Sequence, residues 1–324
     1  MLSDEFGRKI EYLRVSVTDR CNLRCIYCMP ADGIAQKLPE EILTFEEIVA
    51  LVKIAISLGI DKIKITGGEP LLRRDISKLF SLLSSIKGIK DLSLTTNGIR
   101  LKRYVKELKI FGLKKINISL DTLNPERFKF ISRQGLIEDV LEGIEVSLRE
   151  GFFVKLNVVV LRGINDDEIS DFIRFADEKN LVVRFIELMP MGCSEKIYKD
   201  LFVSSGEVKE VITRMFGLLK PLGTNLGNGP AEYFRIGDTM LIVGFISSMS
   251  HKFCLHCNRL RLTADGLLMP CLTSRIGIDI KRPLRENKEA EVLACFKKAI
   301  YSKPESHQLD FSSVCPRLMA QIGG

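Results

Sequence analysis

The segment that decides the fold runs from residue 12 to residue 28 and reads YLRVSVTDRCNLRCIYC. Its first part, Tyr12 to Val17, is a short run of β-branched and apolar residues, which predicts a β-strand. Three cysteines, Cys21, Cys25 and Cys28, follow at C-x3-C-x2-C spacing. Soft thiolate ligands in a loop directly after a strand predict a metal-binding site at the end of that strand.

Five further short apolar runs follow along the chain, and stretches of helical period lie between them. The six predicted strands are 12–17, 62–66, 91–95, 115–119, 153–160 and 181–187. The predicted helices between them include 45–58, 75–85, 137–149 and 166–179. Six strand–helix units in series predict a parallel sheet with right-handed crossovers, as in an incomplete barrel or a doubly wound sheet.

Polar or Gly-rich segments stand directly after the predicted strands. They cover residues 18–22, 66–70, 96–98, 119–121 and 187–190. A parallel barrel gathers all such segments on one face, whereas a doubly wound sheet gathers them only at a switch point. We therefore predict an α/β fold, an incomplete (βα)6 TIM-like barrel over residues 1–195, with a C-terminal extension over residues 196–324.

Composition limits the class of protein. The 324 residues are 46% hydrophobic and 27% charged, which is typical of a compact globular chain and not of a disordered or fibrous one. No apolar stretch approaches the roughly 18 residues that cross a bilayer, so we expect a cytoplasmic protein without a membrane partner. The net charge of +7 favours an anionic partner, but zero Trp and six Tyr leave few platforms for stacking nucleic acid bases.

Nine cysteines in a chain that needs no disulfides indicate metal binding, and six of them form two triplets. The first triplet can wrap three thiolates around an iron–sulfur cube and leave the fourth iron without a protein ligand. A structural zinc is disfavoured there because it normally takes four protein ligands. Cys193, Cys295 and Cys315 have no metal-binding spacing, and we interpret them as packing or surface thiols.

The second triplet, Cys254, Cys257 and Cys271, has C-x2-C-x13-C spacing. A zinc site completed by His251 or His256 is as compatible with this spacing as a second cluster. Arg259 and Arg261 follow at positions i and i+2 of an extended segment, so their side chains share one side and are able to bind a phosphate together. The alternative is a solvated strand face.

The first triplet, with Tyr27 before its third cysteine, resembles the radical S-adenosylmethionine superfamily, and so does Gly67-Gly68-Glu69-Pro70 after the second strand. The resemblance implies an open iron that chelates the methionine moiety and an electron transfer that produces a 5'-deoxyadenosyl radical. We expect the two glycines to let the backbone approach this ligand and to leave amide groups free for it.

Motifs along essentially the whole chain resemble the GTP 3',8-cyclase family of molybdenum cofactor biosynthesis. They are LRVSVTDRC (13–21), LTFEEI (43–48), TGGEPLLR (66–73), NISLD (117–121), GINDDE (163–168), FIE (185–187) and the second triplet with NRLR (258–261). The resemblance implies two [4Fe-4S] clusters, one at each end of an incomplete barrel. It also implies conversion of GTP to a 3',8-cyclo-7,8-dihydroguanosine triphosphate, through hydrogen removal at ribose C3' and attack on guanine C8.

The resemblance also implies residue roles. The first cluster is held by Cys21, Cys25 and Cys28, and the second by Cys254, Cys257 and Cys271. The pocket for S-adenosylmethionine is lined by Tyr27, Gly68, Ser119 and Met189. GTP is surrounded by Arg14, Lys64, Thr95, Lys155, Arg259 and Arg261, and Arg14 assists the final reduction. Lys64 stands where the family usually has Arg, and Thr96 is an alternative to Thr95 because a shift of one residue exchanges strand faces.

Family resemblance further implies an electron donor protein, a homodimer, and delivery of the product to cyclic pyranopterin monophosphate synthase. It implies that the terminal Gly323-Gly324 enters the catalytic pocket. Two other functions remain open on the residues alone. One is a radical enzyme with an auxiliary cluster that modifies a peptide, and the other is a zinc-stabilised module that binds RNA.

Overall fold

Twelve strands form one sheet in the computed structural model, which describes residues 2–194, 196–223, 226–309 and 318–323. The strands are β1 Tyr12–Ser16, β2 Lys62–Thr66, β3 Asp91–Thr96, β4 Lys115–Ser119, β5 Phe153–Val160, β6 Val182–Glu187, β7 Leu219–Pro221, β8 Glu232–Ile236, β9 Ile242–Ile246, β10 Arg259–Leu262, β11 Leu267–Met269 and β12 Ile278–Asp279. Their order across the sheet is β12-β11-β10-β1-β2-β3-β4-β5-β6-β9-β8-β7. Strands β1 to β6 are therefore neighbours in sequence order, and each pair is parallel.

Helices connect the parallel strands and flank the later ones. They are α1 Phe45–Ser57, α2 Ile76–Ser84, α3 Leu101–Ile110, α4 Pro125–Ser132, α5 Ile137–Arg149, α6 Ile169–Lys179, α7 Tyr198–Leu201, α8 Ser205–Phe216, α9 Lys281–Arg285, α10 Glu289–Tyr301 and α11 Met319–Ile322. The six strands and their crossovers confirm the predicted α/β fold. The predicted helix at 166–179 begins instead as a short 3₁₀ turn, Asp166–Glu168, in which the Glu168 carboxylate accepts bonds from Thr122 and Leu123.

Local sequence explains where several helices begin. Thr44 accepts the amide of Glu47, and the Glu47 carboxylate accepts the amide of Thr44, which forms a capping box before α1. Ser204 and Glu207 repeat the same arrangement before α8. These caps satisfy amides that have no partner within the helix and fix the first turn where each chain segment leaves the sheet.

The C-terminal region continues the sheet at both edges. Strand β10 pairs with β1 and β9 pairs with β6, in both cases parallel. The remaining pairs, β10 with β11, β11 with β12, β8 with β9 and β7 with β8, are antiparallel. Residues beyond the predicted boundary at 195/196 thus extend the same sheet.

The two faces of the parallel strands differ in polarity. Leu13, Val15, Ile63 and Ile65 are fully buried in the main apolar core. Alternate residues of the same strands are polar or charged, as in the pair formed by Arg14 and Lys64. A TIM barrel usually fills its interior with branched apolar side chains. This interior is polar instead, and it encloses a cavity.

Among the described residues, no helix is long and apolar enough to cross a membrane.

Candidate functional site

A cavity of about 340 Å³ lies on the polar face of the curved sheet. Its lining includes these predicted site residues: Arg14, Cys21, Cys25, Tyr27, Cys28, Lys64, Gly68, Thr95, Ser119, Met189, Cys254, Cys257, Arg259, Arg261 and Cys271. Lys155 lines a smaller adjoining cavity that shares Tyr12, Lys64 and Arg184 with the first. The fold therefore brings both cysteine triplets and the predicted cations to one connected space.

The first triplet lies in the loop after β1. This loop is anchored to the end of α4, because the amide of Arg24 donates to the carbonyl of Ser132 over 2.8 Å. Burial raises the pKa of Cys21 to about 11 and that of Cys28 to about 12. Three thiols from one loop that face a cavity fit the ligand set of an iron–sulfur cluster with one open iron.

Two amides of the Gly67-Gly68-Glu69-Pro70 segment are used within the fold. The Gly68 amide donates to the Thr18 carbonyl over 2.7 Å, and the Glu69 amide donates to the Arg20 carbonyl over the same distance. A Cβ atom on Gly68 would lie 2.4 Å from the Arg20 oxygen. These two amides are therefore not free, and Gly68 is needed because the loop packs directly against the backbone of the cysteine loop.

Glu69 joins three loops at the carboxyl ends of the strands. Its fully buried carboxylate accepts bonds from the amide of Leu71 at 3.0 Å, the hydroxyl of Thr96 at 2.7 Å and the amide of Asn97 at 2.6 Å. Burial raises the pKa of Glu69 to about 7, although these bonds oppose the shift. Asn97 in turn donates to Asn22 over 2.9 Å, within the first cysteine loop.

Tyr27 is fixed to the end of β4. Its hydroxyl donates to Asp121 over 2.5 Å, and the second oxygen of Asp121 accepts the amide of Val159 at 2.8 Å. Ser119 lies two residues before Asp121, and Met189 lies in the segment that follows β6. These side chains form one wall of the cavity beside the first triplet.

A row of cations crosses three neighbouring strands, with Lys64 and Arg261 buried and Arg14 half-buried. Arg261 on β10 pairs in register with Arg14 on β1, which pairs with Lys64 on β2. Burial lowers the pKa of each of these groups, and the positive charges of neighbouring groups lower it further. An anion bound here would offset the free-energy cost of burying these three positive charges and of their mutual repulsion.

The two threonines at the end of β3 differ in their partners. Thr95 pairs in register with Asn117 on β4, and both residues line the site. The hydroxyl of Thr96 instead donates to Glu69 and accepts the amide of Gly98 at 3.1 Å. Since Thr96 serves the loop structure, the geometry favours Thr95 as the ligand contact, which stays a prediction.

Lys155 lies near the amino end of β5. Its ammonium donates to the carbonyl of Leu226 and to the hydroxyl of Tyr233, the latter over 3.3 Å. Burial, with the positive charges of Arg184 and Lys115, lowers the pKa of Lys155 to about 7. A further negative group would stabilise its charged form.

Arg184 is a site residue that the sequence analysis missed. It is 6% exposed, lines the cavity, and donates to Asn117 over 2.5 Å. Its Nε atom has no hydrogen-bond partner among the described residues, and neither does Oδ1 of Asn157, which pairs with it in register. A charged residue inside the apolar strand VVRFIE was the signal that would have identified it.

The second triplet lies among positive charges. Burial raises the pKa of the Cys257 thiol, but the charges of Arg259 and Lys303 outweigh burial and lower it to about 6. The Arg259 guanidinium also donates to the Cys257 sulfur over 3.6 Å. Both histidines proposed for a zinc site, His251 and His256, are exposed. Among the described residues, no group of three His, Cys, Asp or Glu is placed to hold a single metal ion.

The chain end approaches the cation row. The Gly323 carbonyl accepts the Arg261 guanidinium at 2.6 Å. Gly323 has a φ of +76°, and a Cβ atom there would lie 3.0 Å from Ser16 and Thr66 side-chain atoms, so only glycine fits without displacement. Gly324 and Cys315 lie outside the described residues.

Two family models match the chain. Residues 15–176 match the Radical SAM superfamily, and residues 181–309 match Molybdenum Cofactor Synthesis C. Among similar proteins, the chain is 49% identical to GTP 3',8-cyclase of Alkaliphilus oremlandii and 47% identical to that of Thermodesulfovibrio yellowstonii, covering 100% of both chains in each case. It is also 49% identical to GTP 3',8-cyclase of Moorella thermoacetica over the full length of both.

Solved structures show the same fold at low identity. Streptococcus suis SuiB bound to precursor peptide SuiA has a TM-score of 0.63 at 14% identity, over 92% of this chain and 66% of that one. Native anSMEcpe with bound AdoMet has a TM-score of 0.55 at 15% identity, over 89% of this chain and 84% of that one. The family models and the full-length relatives confirm the family assignment: the chain belongs to the radical SAM superfamily and, within it, to the GTP 3',8-cyclase family.

Proposed function

We propose that this chain cyclises GTP to (8S)-3',8-cyclo-7,8-dihydroguanosine 5'-triphosphate, the first step of molybdenum cofactor biosynthesis. The observation that carries the proposal is one connected cavity lined by both cysteine triplets and by the row of cations. Full-length relatives named GTP 3',8-cyclase support it. An enzyme that modifies a peptide would not need a row of phosphate-binding groups.

The two sets of cysteine ligands indicate which cofactors the chain binds. Cys21, Cys25 and Cys28 hold one [4Fe-4S] cluster, and Cys254, Cys257 and Cys271 hold a second. When bound, the first cluster supplies the electron that cleaves S-adenosylmethionine and so provides the radical that removes hydrogen from ribose C3'. Tyr27, Gly68, Ser119 and Met189 form the wall that orients S-adenosylmethionine toward that carbon.

Cations and polar groups bind the substrate. The GTP contacts are Arg14, Lys64, Thr95, Lys155, Arg184, Arg259 and Arg261. They neutralise the triphosphate and hold ribose and base in one orientation, so that C3' and C8 are kept close. Lys64 stands where the family usually has Arg. Its ammonium is a single point charge, whereas a guanidinium binds a phosphate through two N–H donors, so this contact is less directional. Burial of the reacting groups excludes water and protects the substrate radical from side reactions.

Arg14 has a catalytic role in the last step. After C3' has bonded to C8, the nucleotide radical takes up one electron from an electron donor protein and one proton. The Arg14 guanidinium, placed between Lys64 and Arg261 in register, holds a proton at the centre of the cation row. Because an arginine stays protonated in proteins, Arg14 would assist this step through its positive charge and its N–H donors.

We also propose how the enzyme is organised in the chain and in the cell. Residues 1–195 form the radical S-adenosylmethionine unit, and residues 196–324 form the cluster and GTP-binding region. The enzyme acts in the cytoplasm as a homodimer, and its product passes to cyclic pyranopterin monophosphate synthase. The terminal Gly323-Gly324 contributes to the pocket, and the bond from Arg261 to the Gly323 carbonyl supports this role.

The test uses anaerobically reconstituted protein with reductant, S-adenosylmethionine and GTP. We expect about eight irons per chain, formation of 5'-deoxyadenosine that depends on GTP, and an isomer of GTP in the mass spectrum. A parallel reaction with ATP controls for uncoupled cleavage of S-adenosylmethionine. About four irons with bound zinc, or 5'-deoxyadenosine formed while GTP stays unchanged, would contradict the proposal.

A further inference from the structure

A buried lysine lies against the second triplet and has no part in the function proposed above. Lys303 follows α10 and is only 3% exposed. It lines the cavity together with Cys257 and Cys271. Burying a cation is costly unless an anion or several acceptors compensate for the lost water.

The ammonium of Lys303 joins the two segments that carry these cysteines. It donates to the carbonyl of Arg259 and to the carbonyl of Pro270, each over 2.8 Å. Arg259 lies two residues after Cys257, and Pro270 directly precedes Cys271. An ammonium group has three donors, and two of those of Lys303 are used in these bonds.

The chain around Lys303 is held in place by Arg8. The Arg8 guanidinium donates to the carbonyls of Pro304 at 2.8 Å, Glu305 at 2.9 Å and Cys254 at 2.8 Å. Asp4 orients it through a contact of 2.5 Å with Nε. Through Arg8, the backbone that carries Lys303 is thus linked to Cys254, the first cysteine of the triplet.

The charges that compensate Lys303 are those of the cysteines. Burial lowers the pKa of Lys303, whereas the negative charges of Cys257 and Cys271 raise it. Among the described residues, no carboxylate forms an ion pair with Lys303. An anionic group bound by these thiolates would therefore be the main counter-charge.

We propose that Lys303 is a positioning residue for the second cluster, which holds the segments of Cys257 and Cys271 in place and stabilises the reduced cluster by its positive charge. The inference rests on the proposed function, in that the second triplet holds an iron–sulfur cluster. Reduction adds one negative charge to a cluster, and a nearby cation or donor to its sulfurs raises the reduction potential. Lys303 supplies such a cation in a site with little water.

The test compares three variants of the reconstituted holoenzyme. Lys303→Met removes the charge at similar length, Lys303→Arg keeps the charge, and Lys252→Met is the matched control. Lys252 is an exposed lysine that donates to the carbonyl of His307 over 3.2 Å, in the same region. Iron content is measured first, and then the midpoint potentials of both clusters by reductive titration followed by electron paramagnetic resonance. Added S-adenosylmethionine identifies the signal of the first cluster.

We expect Lys303→Met to shift the second cluster to a more negative potential while the first cluster stays unchanged. Lys303→Arg should restore most of the shift, and Lys252→Met should produce none. Eight irons with an unmoved second potential would overturn the role of Lys303 and leave the proposed function intact. Wild-type protein without a second cluster would overturn the proposed function itself.

If Lys303→Met does not assemble the second cluster, its potential cannot be measured, and the Lys303→Arg variant becomes the deciding test. Retention of the cluster at the wild-type potential in that variant supports the role of the charge. Loss of the cluster in both variants overturns it, because the charge alone would then be insufficient.

Discussion

The two cysteine triplets have the same ligand type and face the same cavity, yet positive charges outweigh burial at one thiol of the second triplet and at no thiol of the first. Burial dominates at the first triplet and raises the pKa of Cys28 to about 12, and the charge of Asp121 adds to this shift. At the second triplet, Arg259 and Lys303 lower the pKa of Cys257 to about 6. The comparison teaches that the surrounding chain, rather than the cysteines themselves, sets the charge around each triplet.

The largest expected effect comes from removing one cysteine from each triplet in turn. Cys25→Ala should abolish formation of 5'-deoxyadenosine, because the electron for cleavage enters there. Cys257→Ala should retain some cleavage of S-adenosylmethionine but form no cyclised GTP. Mass spectrometry of both products separates the two variants. Equal loss of both products in each variant would remove the distinction between the triplets.

A glycine substitution should damage the first triplet alone. In Gly68→Ala the new Cβ would lie 2.4 Å from the Arg20 carbonyl, so the cysteine loop must shift, at a cost of about 1–3 kcal/mol. We expect iron content to fall from about eight to about four per chain. Gly223→Ala is the control, because nothing lies within 4 Å of a Cβ atom there. Full iron content in Gly68→Ala would show that the loops do not pack as described.

Arg261→Met should weaken GTP binding without affecting S-adenosylmethionine. Loss of a buried charged hydrogen bond costs about 1.5–3 kcal/mol, or roughly 10- to 100-fold in Kd. Isothermal calorimetry with each ligand measures both affinities. Arg285→Met serves as the control, since this exposed arginine pairs with Glu47 on the outer surface. Equal weakening of both ligands would place Arg261 in general packing instead of phosphate binding.

The smallest effect concerns pH and Lys155. Burial, Arg184 and Lys115 lower its pKa to about 7, Asp91 opposes this shift, and Tyr233 contacts the ammonium. Only the protonated form binds a triphosphate well, so above about pH 7 binding must include proton uptake, and GTP affinity falls by up to about tenfold per pH unit. Lys155→Arg stays protonated, and its Kd should vary less between about pH 6.5 and 8.5. Identical slopes for both proteins would exclude Lys155 from phosphate binding.

Sequence periodicity was sufficient for the parallel strands, because alternate apolar residues such as Leu13 and Val15 are needed to bury one face of the sheet. Cysteine spacing identified both triplets, and motif resemblance supplied their expected roles. The close contact between Gly68 and the Arg20 backbone was not predicted, since Arg20 lies about fifty residues earlier and no local pattern encodes that contact. Arg8 and Lys303 were missed for the same reason: they meet only in the folded chain.

The pairing of β10 with β1 also has a consequence for the order of synthesis. Strand β1 leaves the ribosome well before β10, the strand that pairs with its outer edge and begins at Arg259. The roughly 240 residues between the two strands take about 12–50 s to synthesise at roughly 5–20 residues per second. Until β10 has been synthesised, this edge of β1 has no strand to pair with, and unpaired strand edges favour association with other chains.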